Sequence, residues 1–266
     1  MHTDLKPENI LLLDSSYDRE PIQPGSNLMT RVPHSGAIRL IDFGSATWEH
    51  QYHSSVVSTR HYRVRERAAR RQLPSVPRSR AVQAPEVILG MSWSYPCDVW
   101  SLGCILIELL TGDALFQTHK NLEHLAMMEV VLGPIPASVI QRSDVHSKKY
   151  FRHASELRWP EGSSSRDSVR TVRKMCSLGE LVASRVPGPR GTAFTDLLMR
   201  LLRYEPQHRL TPSQALRHSF FAEGGGGRAE PARTASRGGA DRLLPRGCGA
   251  PEHMGGHDKA RTHKIR

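Results

Sequence analysis

The feature that most constrains the fold is the stretch 98–110 (DVWSLGCILIELL), which is apolar on almost every face of a helix. A helix of this kind is buried on all sides in the core of a large domain. Thr111-Gly112 ends it, and a second, amphipathic helix is predicted over residues 121–132. A chain of 266 residues is long enough to bury such a core.

Two short strands are predicted near the N-terminus. The loop at residues 2–9 (HTDLKPEN) leads into the apolar run 10–13, which we expect to be a short buried strand. Residues 37–41 predict a second strand, which ends at Asp42-Phe43-Gly44. The Ser-, Pro- and Gly-rich residues 14–36 between them predict an exposed loop.

The rest of the chain predicts a mostly helical body. Shorter helices are expected from Ala84-Pro85-Glu86 onward, near residues 178–184, over 193–203 and over 212–218, whereas the remainder of 135–191 is expected to be irregular. A strand pair followed by helices belongs to the α+β class.

The positive charge of the chain is confined to two segments. The net charge is +11, from 37 Lys and Arg against 26 Asp and Glu. The Gly- and Arg-rich tail 223–266 carries +4 and the stretch 64–83 carries +5, which leaves +2 on the remainder. The tail has too little apolar surface to bury, so we expect it to be disordered. Such local basicity does not predict specific nucleic-acid binding.

Several other classes of function find no support in the sequence. No apolar run reaches the ~18 residues of a membrane span, and the first residues show no signal-peptide pattern. The four cysteines form no CxxC pair, and the 14 histidines lack metal-ligand spacing. We therefore expect an intracellular protein without a membrane partner.

The loop at residues 2–9 carries groups suited to phosphoryl transfer. Transfer to a hydroxyl needs a carboxylate to accept the proton, a cation near the phosphate, and oxygen ligands for magnesium. Asp4 can supply the carboxylate, Lys6 the cation and Asn9 a metal ligand, with Asp42 as a second metal ligand. A lone Asp-x-Lys is usually a surface turn, but DFG and APE follow here in order, which favours a catalytic site.

These three motifs together resemble the C-terminal lobe of eukaryotic protein kinases. The string EHLAMME at 123–129 resembles the signature of the LAMMER subfamily, the Clk-type dual-specificity kinases; Val130 stands where that motif ends in arginine. The resemblance covers residues 2–222, apart from the insertion 64–83. It implies a protein-kinase-like fold with a mostly α-helical C-terminal lobe and a short β-hairpin, as a partial kinase domain over 1–222.

The resemblance also implies roles for individual residues. Asp4 and Lys6 are expected to be catalytic, and Lys6, Asn9 and Asp42 to bind ATP and Mg²⁺, with the metal on Asn9 and Asp42. Asp98 is expected to hold the catalytic-loop backbone.

Further expected positions lie around this loop. Glu86 and Arg209 are expected to form the ion pair that ties the activation segment to the body. His2 is expected to pack beside Phe43. Thr3 stands where most kinases place arginine, which implies an activation segment ordered without phosphorylation.

The subfamily implies Ser/Thr and dual-specificity phosphorylation of proteins. Arg/Ser-rich splicing factors are the expected substrates, the nucleus the expected location and a monomer the expected state. The sequence contains no glycine-rich phosphate-covering loop followed by a strand lysine, so the resemblance implies that the N-terminal lobe is missing. We therefore expect these 266 residues to be impaired in phosphotransfer when tested alone.

The insertion 64–83 has two interpretations. One is a regulatory insert. The other, which we favour, is an in-frame retained intron, because every codon for Val64 begins with GT and Gln83 can be encoded by CAG. For the whole chain, the alternative to an enzyme is a non-catalytic substrate-docking fragment or decoy.

Overall fold

In a computed structural model, residues 1–21, 27–51, 83–118, 120–153 and 155–222 are described. The predicted disorder of 223–266 and nearly all of the insertion 64–83 lie outside this part. The helices and strands are β1 Ile10–Leu12, β2 Tyr17–Pro21, β3 Met29–Pro33, β4 Ile38–Leu40, α1 Pro85–Ile88, α2 Pro96–Thr111, α3 Asn121–Leu132, α4 Ala137–Arg142, β5 Phe151–Arg152, β6 Glu156–Leu157, α5 Arg166–Arg173, α6 Leu178–Ala183, α7 Pro189–Leu201, α8 Pro212–Ala215 and α9 Ser219–Ala222.

Helix α2 forms the centre of the core, as its sequence predicts, but it is not buried on every side, because Leu109 is 70% exposed. Its Trp100 is fully buried, and so are Leu125 of α3 and Leu198 of α7. A Cβ on Gly103 of α2 would lie 2.8 Å from a methyl carbon of Leu202, so the glycine lets the end of α7 approach closely. The buried apolar face of α2 therefore organises the helical body around it.

Strands β1 and β4 pair antiparallel, with Ile10 opposite Leu40 and Leu12 opposite Ile38. The predicted strand pair is confirmed, but the expectation that β1 is buried is wrong. Leu12 is 47% exposed and Ile38 is 58% exposed, because no described element covers this face of the pair.

Nearly all described residues of the predicted loop, 14–21 and 27–36, are exposed, but they contain a β-hairpin. Strands β2 and β3 pair antiparallel, and every residue of both is exposed. The sequence pattern does not show these strands because β2 (YDREP) has no alternation of apolar and polar residues. Backbone pairing alone identifies the hairpin.

Residues 135–191 are more regular than the sequence indicates, since helices α4 and α5 lie there. Helix α5 reads RDSVRTVR and lacks a continuous apolar stripe; its start is instead marked by Ser165, whose side chain accepts a hydrogen bond from the Ser168 amide. Helix α7 begins four residues earlier than predicted, at Pro189, a residue favoured in the first turn. The helix predicted over 212–218 is instead α8, followed by the separate α9.

Candidate active site

The loop before β1 closes on itself through Asn9. A short 3₁₀ turn spans Pro7–Asn9, and the Asn9 amide donates to the Lys6 carbonyl at 3.0 Å. The side-chain nitrogen of Asn9 donates to the Asp4 carbonyl at 2.9 Å. Because that nitrogen is engaged, the side-chain oxygen of Asn9 is the atom left for a metal ion.

Asp98, at the start of α2, holds the other end of the loop, as the resemblance implies. Its two carboxylate oxygens accept hydrogen bonds from the backbone amides of His2, at 2.7 Å, and Thr3, at 2.9 Å. Thr3 has a φ of +65°, a left-handed conformation that a β-branched residue seldom adopts. The charge-assisted bonds to Asp98 offset that strain and set the path of the chain into Asp4.

His2 links Asp4 to the strand that precedes Asp42. Its Nδ1 accepts a hydrogen bond from the Asp4 amide at 3.3 Å, and its Nε2 lies 3.0 Å from the Ile41 carbonyl oxygen. Those partners require the neutral tautomer with the proton on Nε2. The ring lies 5.0 Å from that of Phe43, which confirms the predicted packing and makes His2 a structural residue.

Asp4 and Lys6 lie in direct contact. The Lys6 ammonium is 2.6 Å from one Asp4 carboxylate oxygen, and the Asp4 side chain is only 10% exposed. A nearly buried carboxylate beside a cation is suited to hold a hydroxyl nucleophile and to take up its proton next to a phosphate.

Asp42 is placed beside this loop by the β1–β4 pairing. The Ile41 amide donates to the Asn9 carbonyl at 3.0 Å, so Asp42 follows directly on a residue bound to Asn9. Asp42 is exposed and has a φ of +64°, and the 3₁₀ turn Phe43–Ser45 begins after it. The four predicted residues Asp4, Lys6, Asn9 and Asp42 are thus brought to one end of the β1–β4 pair.

The residues present fit a magnesium ion held together with a phosphate ligand. Within the described ranges, no cluster of three or more His, Cys, Asp or Glu side chains forms a metal site by itself. Asn9 and Asp42 nevertheless supply the hard oxygen donors that Mg²⁺ prefers, and Mg²⁺ commonly takes its other ligands from water and substrate phosphates.

Glu86 and Arg209 form the predicted ion pair. Two parallel hydrogen bonds, of 2.7 and 2.6 Å, join the guanidinium to the carboxylate, and both side chains are essentially unexposed. The remaining donors of Arg209 reach the carbonyls of Pro96, Arg203 and Tyr204. Since all five donors are satisfied, the pair anchors α1 to the loop after α7 without leaving a buried charge unpaired.

Glu108 is a group near the site that the sequence motifs do not reveal. It lies half-buried on α2; burial raises the pKa of its carboxyl group, and the negative charges of Glu8 and Asp113 raise it further. Glu8 adjoins Asn9, so negative charge collects beside the catalytic loop. The signal available in the sequence was Glu108 itself, a carboxylate inside the apolar run 102–110.

Val130 is 36% exposed, so the position where the subfamily motif has arginine lies at the surface.

No helix in the described ranges is long and apolar enough to span a membrane.

Comparison with known proteins agrees with this geometry. The family model "Protein kinase domain" matches residues 1–221, and the chain belongs to the protein kinase family. A crystal structure of another kinase domain superposes with a TM-score of 0.66 at 35% identity, covering 83% of this chain and 59% of that one.

Curated relatives at high identity are LAMMER and Clk-type kinases, as the EHLAMME string implies. Serine/threonine-protein kinase AFC1 of Arabidopsis thaliana is 50% identical over 83% of this chain and 44% of its own length. Dual specificity protein kinase lkh1 of Schizosaccharomyces pombe is 45% identical over 84% of this chain and 29% of its own. Dual specificity protein kinase CLK2 of Homo sapiens is 44% identical over 86% and 40%. The chain spans about half or less of the length of these relatives.

Proposed function

We propose that this chain carries the catalytic and metal-binding residues of a LAMMER-type kinase that transfers the γ-phosphate of ATP to Ser, Thr or Tyr of proteins. The observation that supports it best is the contact of Asp4 with Lys6 at 2.6 Å, with Asn9 and Asp42 at the same end of the β1–β4 pair. Asp4 orients the acceptor hydroxyl and takes its proton. Lys6 stabilises negative charge on the transferring phosphoryl group. Asn9 and Asp42 would hold Mg²⁺, which would neutralise negative charge on the phosphates.

We propose Arg/Ser-rich splicing factors as substrates, with action in the nucleus as a monomer. The negative charge of Glu8, Glu108 and Asp113 supports a cationic substrate, because Glu108 is half-buried and is repelled by the other two carboxylates. Within the described ranges, Glu108 forms no ion pair. A guanidinium group of the substrate would supply the missing charge.

The substrate proposal is tested by Glu108→Gln in a protein completed with the ATP-covering region of a relative. We expect the KM for an Arg/Ser-repeat substrate to rise while the KM for ATP stays unchanged. Glu161→Gln, which removes an exposed carboxylate bonded to Arg152 at 3.2 Å, is the matched control. Equal effects of the two substitutions would remove the support for an arginine subsite at Glu108.

We also propose that these 266 residues by themselves are impaired in phosphotransfer. The exposed leucines of β1 and β4 support this, because they form an apolar surface of the kind that another part of a protein covers. The test compares the chain alone with the completed protein, using Mg²⁺–ATP and an Arg/Ser-repeat protein. Full turnover by the chain alone, lost in Asp4→Asn, would contradict the impairment. If neither form transfers phosphate but both bind the substrate, the docking-fragment alternative is favoured.

A further inference from the structure

The β2–β3 hairpin presents two faces of opposite charge. Its register places Arg19 directly opposite Arg31. Because neighbouring residues of a strand point to opposite faces, these arginines share one face with Tyr17, while Asp18 and Glu20 lie on the other. Both strands are exposed along their whole length, so both faces meet solvent.

The arginine face is not electrostatically balanced. Like charges directly opposite each other destabilise a strand pair. In the described part of the chain neither Arg19 nor Arg31 forms an ion pair, and the Arg31 guanidinium carbon lies 4.7 Å from the centre of the Tyr17 ring. On the other face, Asp18 is paired with His34 at 3.1 Å. The cationic face thus has the charge of a surface that receives an anion.

A continuous ribbon connects this face to the catalytic loop. Beyond β1 and β4, the Leu13 amide donates to the Ala37 carbonyl at 2.9 Å and the His34 amide donates to the Ser16 carbonyl at 3.1 Å. These bonds carry the pairing outward into β2 and β3. The distance from Asn9 to Arg19 is therefore at most about 33 Å, at about 3.3 Å per residue. An extended substrate segment of about ten residues covers the same distance.

We propose that the Arg19–Arg31 face binds phosphoserine in a substrate segment that the kinase has already phosphorylated. The inference rests on the proposed function, which makes phosphoserine its product. A phosphoserine carries a charge of about −1.5 to −2, and guanidinium groups bind phosphate oxygens through paired hydrogen bonds. An unmodified Arg/Ser segment is cationic and is repelled. The hairpin therefore retains a partly phosphorylated product while a further serine reaches Asp4.

The test measures binding to the intact chain without ATP, so it does not depend on phosphotransfer. A fluorescent Arg/Ser octapeptide phosphorylated on every serine is compared with its unphosphorylated form and with a form carrying glutamate at those positions. We expect Arg19→Gln and Arg31→Gln each to weaken binding of the phosphopeptide by about tenfold. Arg39→Gln, on the neighbouring β4 and also exposed, is the matched control and should have little effect. The hairpin is exposed, so all three variants should keep the melting temperature of the parent.

The outcomes separate this inference from the proposed function. Loss of phosphopeptide binding in the two hairpin variants alone supports the inference, even if the completed protein shows no phosphotransfer. Equal loss in Arg39→Gln, or equal binding of the glutamate peptide, overturns it. Displacement of the phosphopeptide from the hairpin by single-stranded RNA at equal concentration also overturns it, because the face would then recognise nucleic acid. Phosphotransfer with no phosphopeptide binding removes the inference and leaves the proposed function intact.

Discussion

The hydroxyl of Thr3 donates a hydrogen bond to the backbone carbonyl of Ser45, with 2.7 Å between the two oxygens. This bond joins the catalytic loop to the residue directly after Asp42-Phe43-Gly44. Farther along the same segment, the Ser94 hydroxyl donates to a Glu49 carboxylate oxygen at 2.7 Å. Two hydroxyl groups thus hold the start of the activation segment, and one of them belongs to Thr3, which stands where most kinases place arginine.

Replacing Thr3 tests this bond directly. We expect Thr3→Val to speed amide hydrogen exchange in residues 45–51, since the hydroxyl that holds Ser45 is lost while the side-chain shape is kept. Thr3→Ser retains the hydroxyl and should behave as the parent. The cost in unfolding free energy should be about 1 kcal/mol. Equal exchange in the two variants would show that the bond does not hold the segment.

Breaking the buried ion pair should destabilise the helical body strongly. Arg209→Leu leaves Glu86 charged, unexposed and without its partner, so the unfolding free energy should fall by about 3 to 5 kcal/mol. Arg142→Leu is the control: Arg142 pairs with Glu205 at 3.1 Å but is 44% exposed, so its loss should cost at most about 1 kcal/mol. Urea denaturation measures both. Similar midpoints for the two variants would mean that the pair at Glu86 is not an anchor.

Substitutions of the two acidic residues of the site should change different quantities, kcat for Asp4 and the affinity for Mg²⁺–ATP for Asp42. In a protein completed with the ATP-covering region of a relative, Asp4→Asn should lower kcat by about 10²- to 10⁴-fold, because the base is lost. It should leave the affinity for Mg²⁺–ATP nearly unchanged. Asp42→Asn should weaken that affinity, because it removes a charged oxygen ligand. Steady-state kinetics and nucleotide titration separate the effects, and retained turnover in either variant would contradict that residue's role.

His124 of α3 should make the protein sensitive to acid. His124 is 4% exposed, its Nε2 has no hydrogen-bond partner among the residues that the structure describes, and burial lowers its pKa from the ordinary 6.5 to about 3. Above pH 6.5, His124 is neutral in both the folded and the unfolded chain and adds no pH dependence. Below it, only the unfolded chain takes up the proton, so the unfolding free energy falls by about 1.4 kcal/mol per pH unit.

Urea unfolding between pH 7 and pH 5 checks this expectation. The parent should lose about 2 kcal/mol more than His124→Phe over that range. His50→Phe replaces an exposed histidine and is the control, which should follow the parent. A pH profile of His124→Phe identical to that of the parent would assign the acid sensitivity to other groups.

The arginine-rich insertion should affect substrate recognition more than folding. Residues 64–83 lie beside Glu86 in the chain, and their six arginines repel an arginine-rich substrate. Closing a loop of this length costs only about a few kcal/mol, since the penalty grows logarithmically. In the completed protein, deletion of 64–83 should raise kcat/KM for an Arg/Ser substrate and change Tm little. An unchanged kcat/KM would show that the insertion does not affect substrate recognition.

The sequence by itself identified the kinase family, because the residues that carry the chemistry form short contiguous strings. The order of Asp4, Asp42 and Glu86 in those strings was enough to indicate the site. The bounds of α3 were also predicted without error, since Gly133 and Pro134 stop a helix locally. Such signals depend on neighbouring residues alone.

Tertiary structure decided what depends on contacts between distant residues. The resemblance implied that Asp98 holds the catalytic loop, but only packing identifies its partners as the amides of His2 and Thr3, almost one hundred positions away. Only strand register places Arg19 against Arg31, because a polar strand such as β2 has no apolar period to reveal its pairing. The exposure of β1 likewise follows from which elements lie near it. An apolar run predicts a strand, but the surroundings decide whether its face is covered.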